Sequence, residues 1–336
     1  MAGTLIQTNQ DLEFTAIREA AWGTAVVVAP VGLPTDAMDF SAEPMNHRVK
    51  RSRQSRIQNE ADSWNDILGM IPTASVKIPL TTALGEMFFS GIFQKSTDWA
   101  AAANTWTWTP QEIAALPDIA LLSEGYFYTL VRNASLALHD ERITSAVMSS
   151  MKLSLSSTDD DRLLMAEMEF FGKTFERGIT SGGTTAHASL VAADLFKFSD
   201  LNVVTYNAVD IKPDILGFEI NITNGAKFLG DAPESQVGFP GWEVSGSFTM
   251  LASAAAETIK GLAIAEAIST AKPLYIQFGA GDPPIINGGL AITVFAVIKG
   301  QPGIEWDEGE TITFEFDGVR GAGAAEHPIT IEMGET

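Results

Sequence analysis

Thr73-Ala74-Ser75-Val76-Lys77-Ile78-Pro79-Leu80 runs straight into Thr81-Thr82-Ala83-Leu84-Gly85-Glu86-Met87-Phe88-Phe89. Val76, Ile78 and Leu80 alternate with small or polar residues, the period of a half-buried strand. With Thr82 as N-cap, Leu84, Met87, Phe88 and Ile92 fall on one face of a helix. Roughly 170 positions later the pattern returns. Val244, Phe248 and Met250 alternate, Ser253 supplies a cap, and Ile259, Leu262 and Ala263 share a helical face. Glu86 and Glu257 are expected in the first helical turns, where a carboxylate complements the helix dipole. A two-fold repeat implies two similar domains, and points to a symmetric building block rather than an active site.

The repeat extends outward in both directions. An extended stretch precedes each strand–helix unit: Met38–Glu43 in the first half, and Leu216, Phe218, Ile220 and Ile222 in the second. An aromatic strand follows each helix, Tyr126–Val131 and Leu274–Phe278. Each half then closes with a hairpin. Met151–Leu155 is expected to pair with Leu164–Phe170, and Ile292–Ile298 with Ile312–Phe316. The spacing between halves shrinks after the helix, so the first half carries an insertion at about residues 95–124, holding Trp99, Trp106 and Trp108. It reads as a small flap packed on the first domain, with a sugar-stacking platform as the alternative use of its tryptophans. The Gly178–Thr185 stretch is too polar and Gly-rich for a core element. The expected division is a first domain over 1–177, a linker over 178–190 and a second domain over 191–336.

Composition sets the bounds. A chain of 336 residues suits two domains, and 46% hydrophobic residues suffice for real cores. No run of 18 apolar residues marks a transmembrane helix, and the first ten residues lack the basic start and apolar run of a signal peptide. With no cysteine there are no disulfides, thiolate metal sites or cysteine nucleophiles.

The net charge is −21, from 42 acidic and 21 basic residues, a field that opposes nucleic-acid binding. Against that background Arg48, Lys50, Arg51, Arg53 and Arg56 cluster within one short segment. The segment reads either as a solvated loop or as a loop that docks on an acidic surface, such as another copy of this chain. Acids also alternate with apolar residues on the hairpin strands. Glu167 and Glu169 interleave with Ala166, Met168 and Phe170, and Glu315 lies between Phe314 and Phe316. The apolar set is expected to face the core.

Motifs for chemistry are thin. His47, His139, His187 and His327 are scattered without ligand-pair spacing. There is no nucleophile elbow and no phosphate-cradling Gly-Lys-Ser/Thr loop. Gly279-Ala280-Gly281 and Gly321-Ala322-Gly323 lack a third glycine and a following helix, and read as turns. Asp159-Asp160-Asp161 and Asp307-Glu308-Gly309-Glu310 offer oxygen ligands but not EF-hand spacing. The expectation is no catalytic residue, no cofactor and no metal site.

Phe14-Thr15-Ala16-Ile17-Arg18-Glu19-Ala20-Ala21-Trp22-Gly23-Thr24-Ala25, with the Pro- and Gly-bearing stretch Val26–Pro34, resembles the opening of tail tube proteins of long-tailed, siphovirus-like bacteriophages. Trp242-Glu243-Val244-Ser245-Gly246-Ser247-Phe248-Thr249 resembles that family's strand before its helix. The hairpin ending Phe170-Phe171-Gly172-Lys173 is similar too. The insertion departs from the usual pattern.

The resemblance implies a mainly β fold. It consists of two tandem β-sandwich or barrel domains, each with one flanking α-helix, whose sheets join into a ring-lining β-barrel. It implies a structural virion protein that self-assembles as homotrimeric rings imitating hexamers, stacked into a tube in the host cytoplasm. DNA passes through the lumen without specific binding, and no membrane is involved. Tape measure, tail-tip and tail terminator proteins are the implied partners. Arg48–Arg56 stands about where the family's long loop reaches the adjacent ring, and Glu167, Glu169 and Glu315 become candidate lumen-facing acids. Two other classes stay open: a capsid-decorating or glycan-binding β-sandwich protein, and a hydrolase on a β scaffold.

Overall fold

The computed structural model describes residues 13–19, 31–33, 38–48, 65–94, 98–100, 105–110, 126–133, 140–159, 161–178, 195–229, 236–265, 271–279, 288–300, 304–305, 310–321 and 326–334. In the first half, β1 (Glu13–Glu19), β2 (Val31–Gly32), β3 (Met38–Arg48) and β4 (Asn65–Pro79) precede helix α1 (Thr82–Phe93). Then come β5 (Asp98–Ala100), β6 (Thr105–Trp108), β7 (Phe127–Asn133), β8 (Glu141–Ser156), β9 (Met165–Phe171) and β10 (Thr174–Arg177). The second half opens with β11 (Leu201–Tyr206), β12 (Val209–Asp210), β13 (Ile215–Thr223), β14 (Lys227–Leu229), β15 (Gln236–Gly238) and β16 (Glu243–Leu251). Helix α2 (Ala254–Ala265) follows, then β17 (Lys272–Phe278), β18 (Leu290–Ile298), β19 (Ile304–Glu305), β20 (Thr311–Gly318) and β21 (Ile329–Gly334).

The fold is mainly β, and one antiparallel pairing scheme occurs twice. In the first half β1 pairs β2 and β7, β7 pairs β8, β8 pairs β9 and β10, and β4 lies between β9 and β3. In the second half β11 pairs β12 and β17, β17 pairs β18, β18 pairs β20 and β21, and β16 lies between β20 and β13. β8 is long enough to serve two sheets. Its first residues pair with β7 and β10, its last with β9, and the register shifts between Met148 and Ser150.

The two copies of this scheme join into a single long sheet at the β8–β13 ladder. β8 pairs β13 from Ser150↔Thr223 to Ser156↔Gly217. The resulting sheet runs β3-β4-β9-β8-β13-β16-β20 across both halves, with β19 on the far side of β20. One face of it is core. Val76, Ile78, Met168, Phe170, Leu153, Ile220, Phe248 and Phe314 are buried there, with the Phe248 and Phe314 rings stacked 5.0 Å apart. A buried aromatic or aliphatic side chain of this size contributes about 1.5–3 kcal/mol.

Both helices lie where the alternating strands end, with local corrections. The cap of α1 is Thr81, not Thr82: its Oγ1 accepts from Leu84 N at 3.3 Å. The helix therefore starts one residue earlier than expected, and Glu86 lies beyond the first turn, whereas Glu257 occupies it in α2. Ser253 Oγ accepts from Ala256 N, as its position predicts. In the second hairpin only Ala296–Ile298 pairs with β20, because most of β18 is taken up by β17 and β21.

Candidate assembly surface

The long sheet turns its second face outward, and period-2 alternation decides what that face carries. One cross-strand row reads Lys77, Glu167, Lys152, Asn221, Ser245, Asp317. The next reads Asp39, Ser75, Glu169, Ser150, Thr223, Glu243. A third holds Ser154, Glu219, Ser247 and Glu315. The surface is mainly acidic and small-polar, with Lys77 and Lys152 as the basic residues of these rows, and it crosses the joint between halves. Glu167, Glu169 and Glu315 all lie on it and are exposed. Glu169 precedes buried Phe170 and Glu315 precedes buried Phe316, at corresponding places in the two halves.

Charges on this face are partly paired. Lys152 Nζ lies 2.6 Å from Glu219 Oε2, and Ser150 Oγ donates to Glu169 Oε2 at 2.9 Å. The Lys152 bond holds the Glu219 carboxyl below the usual carboxylate range, with burial opposing and Asn221 assisting.

The joint itself is locked from the core side. Asn224, fully buried, donates from Nδ2 to Met148 O at 2.9 Å and Ile92 O at 3.1 Å, and accepts from Ala226 N. Trp242 Nε1 donates to the same Ile92 carbonyl at 3.2 Å. Val237 and Phe239 of the second half pack with Phe127, Val147 and Phe171 of the first. These contacts tie the second half to the end of α1 and to β8.

The tryptophan-bearing insertion corrects an expectation. Its stem closes at Gln94, whose Oε1 accepts from Tyr126 N and whose Nε2 donates to Gly91 O. It packs on α1 of the first half, as expected of a flap, and also reaches the second half. β5 pairs β6, and β6 pairs β21 of the second half from Trp108↔Ile331 to Thr105↔Gly334. Trp108 is fully buried, with Nε1 donating to Ser90 Oγ at 3.1 Å and its ring 5.3 Å from that of Phe89. Trp106 packs partly against the same core. A buried Trp108 offers no sugar-stacking face, and the β6–β21 ladder makes the hairpin a clasp between halves.

The basic cluster is only partly within view. Arg48 ends β3, opposite Asn65. Lys50, Arg51, Arg53 and Arg56 lie outside the described residues, as do residues 179–194, which hold most of the expected linker. The ribbon that leads to the cluster is described. β4 pairs β9 only over Thr73–Pro79, whereas β3 and β4 stay paired out to Arg48 and Asn65. Residues 65–70 thus carry the ribbon roughly 20 Å past β9 in the strand direction. Among the described residues no group of three or more His, Asp or Glu is placed to hold a metal. Asp160 and residues 306–309, from the two acidic turns, fall outside the described set.

Sequence alternation was sufficient to place Glu167, Glu169 and Glu315 on the face opposite the core. It could not find the Asn224 lock, the Lys152–Glu219 pair or the β6–β21 clasp. Each joins segments far apart in the chain, and the single local signal was an Asn-Gly turn at Asn224-Gly225.

Comparison with known families matches residues 10–318 to the family described as phage tail tube protein. No curated protein matches the chain significantly.

Proposed function

The chain belongs to the phage tail tube protein family, and from that membership we propose that it self-assembles into stacked rings whose bore conducts DNA during ejection. The observation that carries this reading is the sheet that crosses both halves with a core face and a continuous acidic, small-polar face. Curled and closed around an axis, such a sheet gives a barrel lined by the second face. The two-fold pairing scheme supports two tail-tube-like domains per chain. Three chains then close a ring that imitates a hexamer of single-domain subunits.

An acidic bore suits a conduit. Each phosphate captured by a basic side chain would have to be released for DNA to move on. Glu167, Glu169 and Glu315, with Asp39, repel the phosphate backbone, and the serines and threonines between them leave the wall smooth.

The β3–β4 ribbon runs past the sheet along the strand direction, toward where the next ring would stack. Arg48, Lys50, Arg51, Arg53 and Arg56 then meet the acidic surface of that ring. One exposed ion pair contributes about 0–1 kcal/mol, so the cluster acts through repetition around the ring. Tape measure, tail-tip and terminator proteins are the partners at the bore and the two ends. The site of action is the virion tail, after assembly in the host cytoplasm. No catalytic role is part of this reading.

The test is microscopy of the purified protein at high concentration, with a tail-tip nucleator present. Rings or tubes are expected, and monodisperse monomers alone would contradict the reading. Replacing Arg48, Arg51 and Arg53 with Glu should block stacking while leaving the subunit folded. Normal tube growth by that variant at low salt would show that the loop is merely solvated.

A further inference from the structure

The long sheet ends in two edges. Among the described residues β3 is paired only through β4, and β19 only through β20. Unpaired edges are templates for another strand. The internal β8–β13 ladder shows how one copy of this sheet joins the next, because β8 ends the first copy and β13 begins the second. The repeated pairing scheme allows that joint to be transposed onto the open edges.

The transposition is fixed by register. Ile78 lies four residues before Thr82, the start of α1, and pairs Ala166, which pairs Leu153 on its other side. Met250 lies four residues before Ala254, the start of α2, and pairs Ile312, which pairs Ile304 on its other side. Ile304 therefore holds the place of Leu153, and Glu305 that of Ser154. On the opposite edge Val76 and Phe248 each lie six residues before their helix, and pair Met38 and Phe218. Asp39 therefore holds the place of Glu219.

Ser154 pairs Glu219 in the internal joint. Resting on the ring reading above, we infer that β19 of one copy pairs antiparallel with β3 of the next, in the register that sets Glu305 opposite Asp39. The partner is a second copy of this chain, head to tail, and the contact recurs until the ring closes.

The two joints differ in strength. The internal one has the Lys152–Glu219 pair, the Asn224 and Trp242 locks and the β6–β21 clasp. In the external one two acidic residues take opposed register positions, and like charges directly opposite disfavour pairing. In sequence Gly303 comes two residues before Glu305, as Lys152 comes two residues before Ser154. Pro44 and Met70 stand where the internal joint has Asn224 and Trp242. The external joint should therefore be the weaker, strengthened by salt.

The absence of cysteine makes the register directly testable. Directly opposed antiparallel positions have Cα atoms about 4.5–5.5 Å apart, within disulfide range. The double variant D39C/E305C, oxidised after assembly, should give a non-reducing ladder of monomer, dimer and trimer that stops at trimer. A mixture of the single variants D39C and E305C should stop at dimer. The S154C/E219C control should link within one chain and run as a monomer. If micrographs show rings of D39C/E305C that stay unlinked while the control links, the register is wrong. If the double variant does not assemble, the mixed single variants decide: rings without dimers contradict the inference. A ladder continuing past trimer would overturn closure by three chains. Absence of rings from the unmodified chain would instead overturn the ring reading itself.

Discussion

Lys152 Nζ sits 2.6 Å from Glu219 Oε2, so an ion pair crosses the one ladder that makes two half-sheets into a single sheet. Both side chains are more than a third exposed. Lys152→Ala should therefore cost less than about 1 kcal/mol at neutral pH. The sign of its pH dependence is set by Glu219, whose carboxyl is held down in the folded state. The contribution is present above the unfolded carboxylate pKa and is lost as pH falls through the folded value. Denaturant titrations at neutral and acid pH should show the Lys152→Ala variant converging on the parent in acid.

Gly217 tests the same ladder through backbone contact. A Cβ there would lie 2.5 Å from Leu155 O, with Ser156 Cα also close. Gly217→Ala is expected to destabilise by about 1–3 kcal/mol, as overpacking does elsewhere. Gly261, inside α2, has nothing within 4 Å of its Cβ position. Gly261→Ala should therefore stabilise by about 0.5–1 kcal/mol. Thermal melts of the two variants should move in opposite directions.

Trp108 joins the clasp to the core. Trp108→Ala should cost about 3–5 kcal/mol, through the cavity left beside Phe89. Trp108→Phe keeps much of the packing but leaves Ser90 Oγ without its indole donor. It should cost about 0.5–1.5 kcal/mol. Equal losses for the two variants, measured by denaturant unfolding, would contradict the packing role.

Glu19 is nearly fully buried, and its carboxylate accepts from Thr129 Oγ1 at 2.6 Å, Ser145 N at 2.7 Å and Ser145 Oγ at 2.6 Å. Burial raises its pKa, with the hydrogen bonds from Ser145 and Thr129 opposing. In the window between the unfolded value and the raised folded value, the folded state binds the extra proton. Stability from this group therefore falls as pH rises through that window. Glu19→Gln should flatten that part of the stability–pH profile, and an unchanged slope would contradict the assignment.

Much of the fold was legible because it is local. Val76 and Ile78 alternate and are buried, Phe88 and Ile92 fill the helix face, and Glu167 and Glu169 point away from Ala166 and Met168. The repeat was legible for the same reason: each copy has its own strand, cap and helix. The rest depends on contacts between distant segments. Asn224 acts through acceptors on Met148 and Ile92, which lie far from it in the chain. Trp106 and Trp108 read as a flap until β21 supplies an edge. Thr82 is the cap expected from sequence, and the extended backbone at Thr81 moves the cap one residue earlier. β8 shows no break in composition where it passes from one sheet to the next; the change lies in its partners.

Cryo-electron microscopy of the assembled tube addresses the ring most directly. Three chains per ring are predicted, with strict three-fold and approximate six-fold symmetry. The β5–β6 clasp should appear three times per ring, at alternate domain junctions. Six chains per ring, or a clasp at every junction, would contradict it.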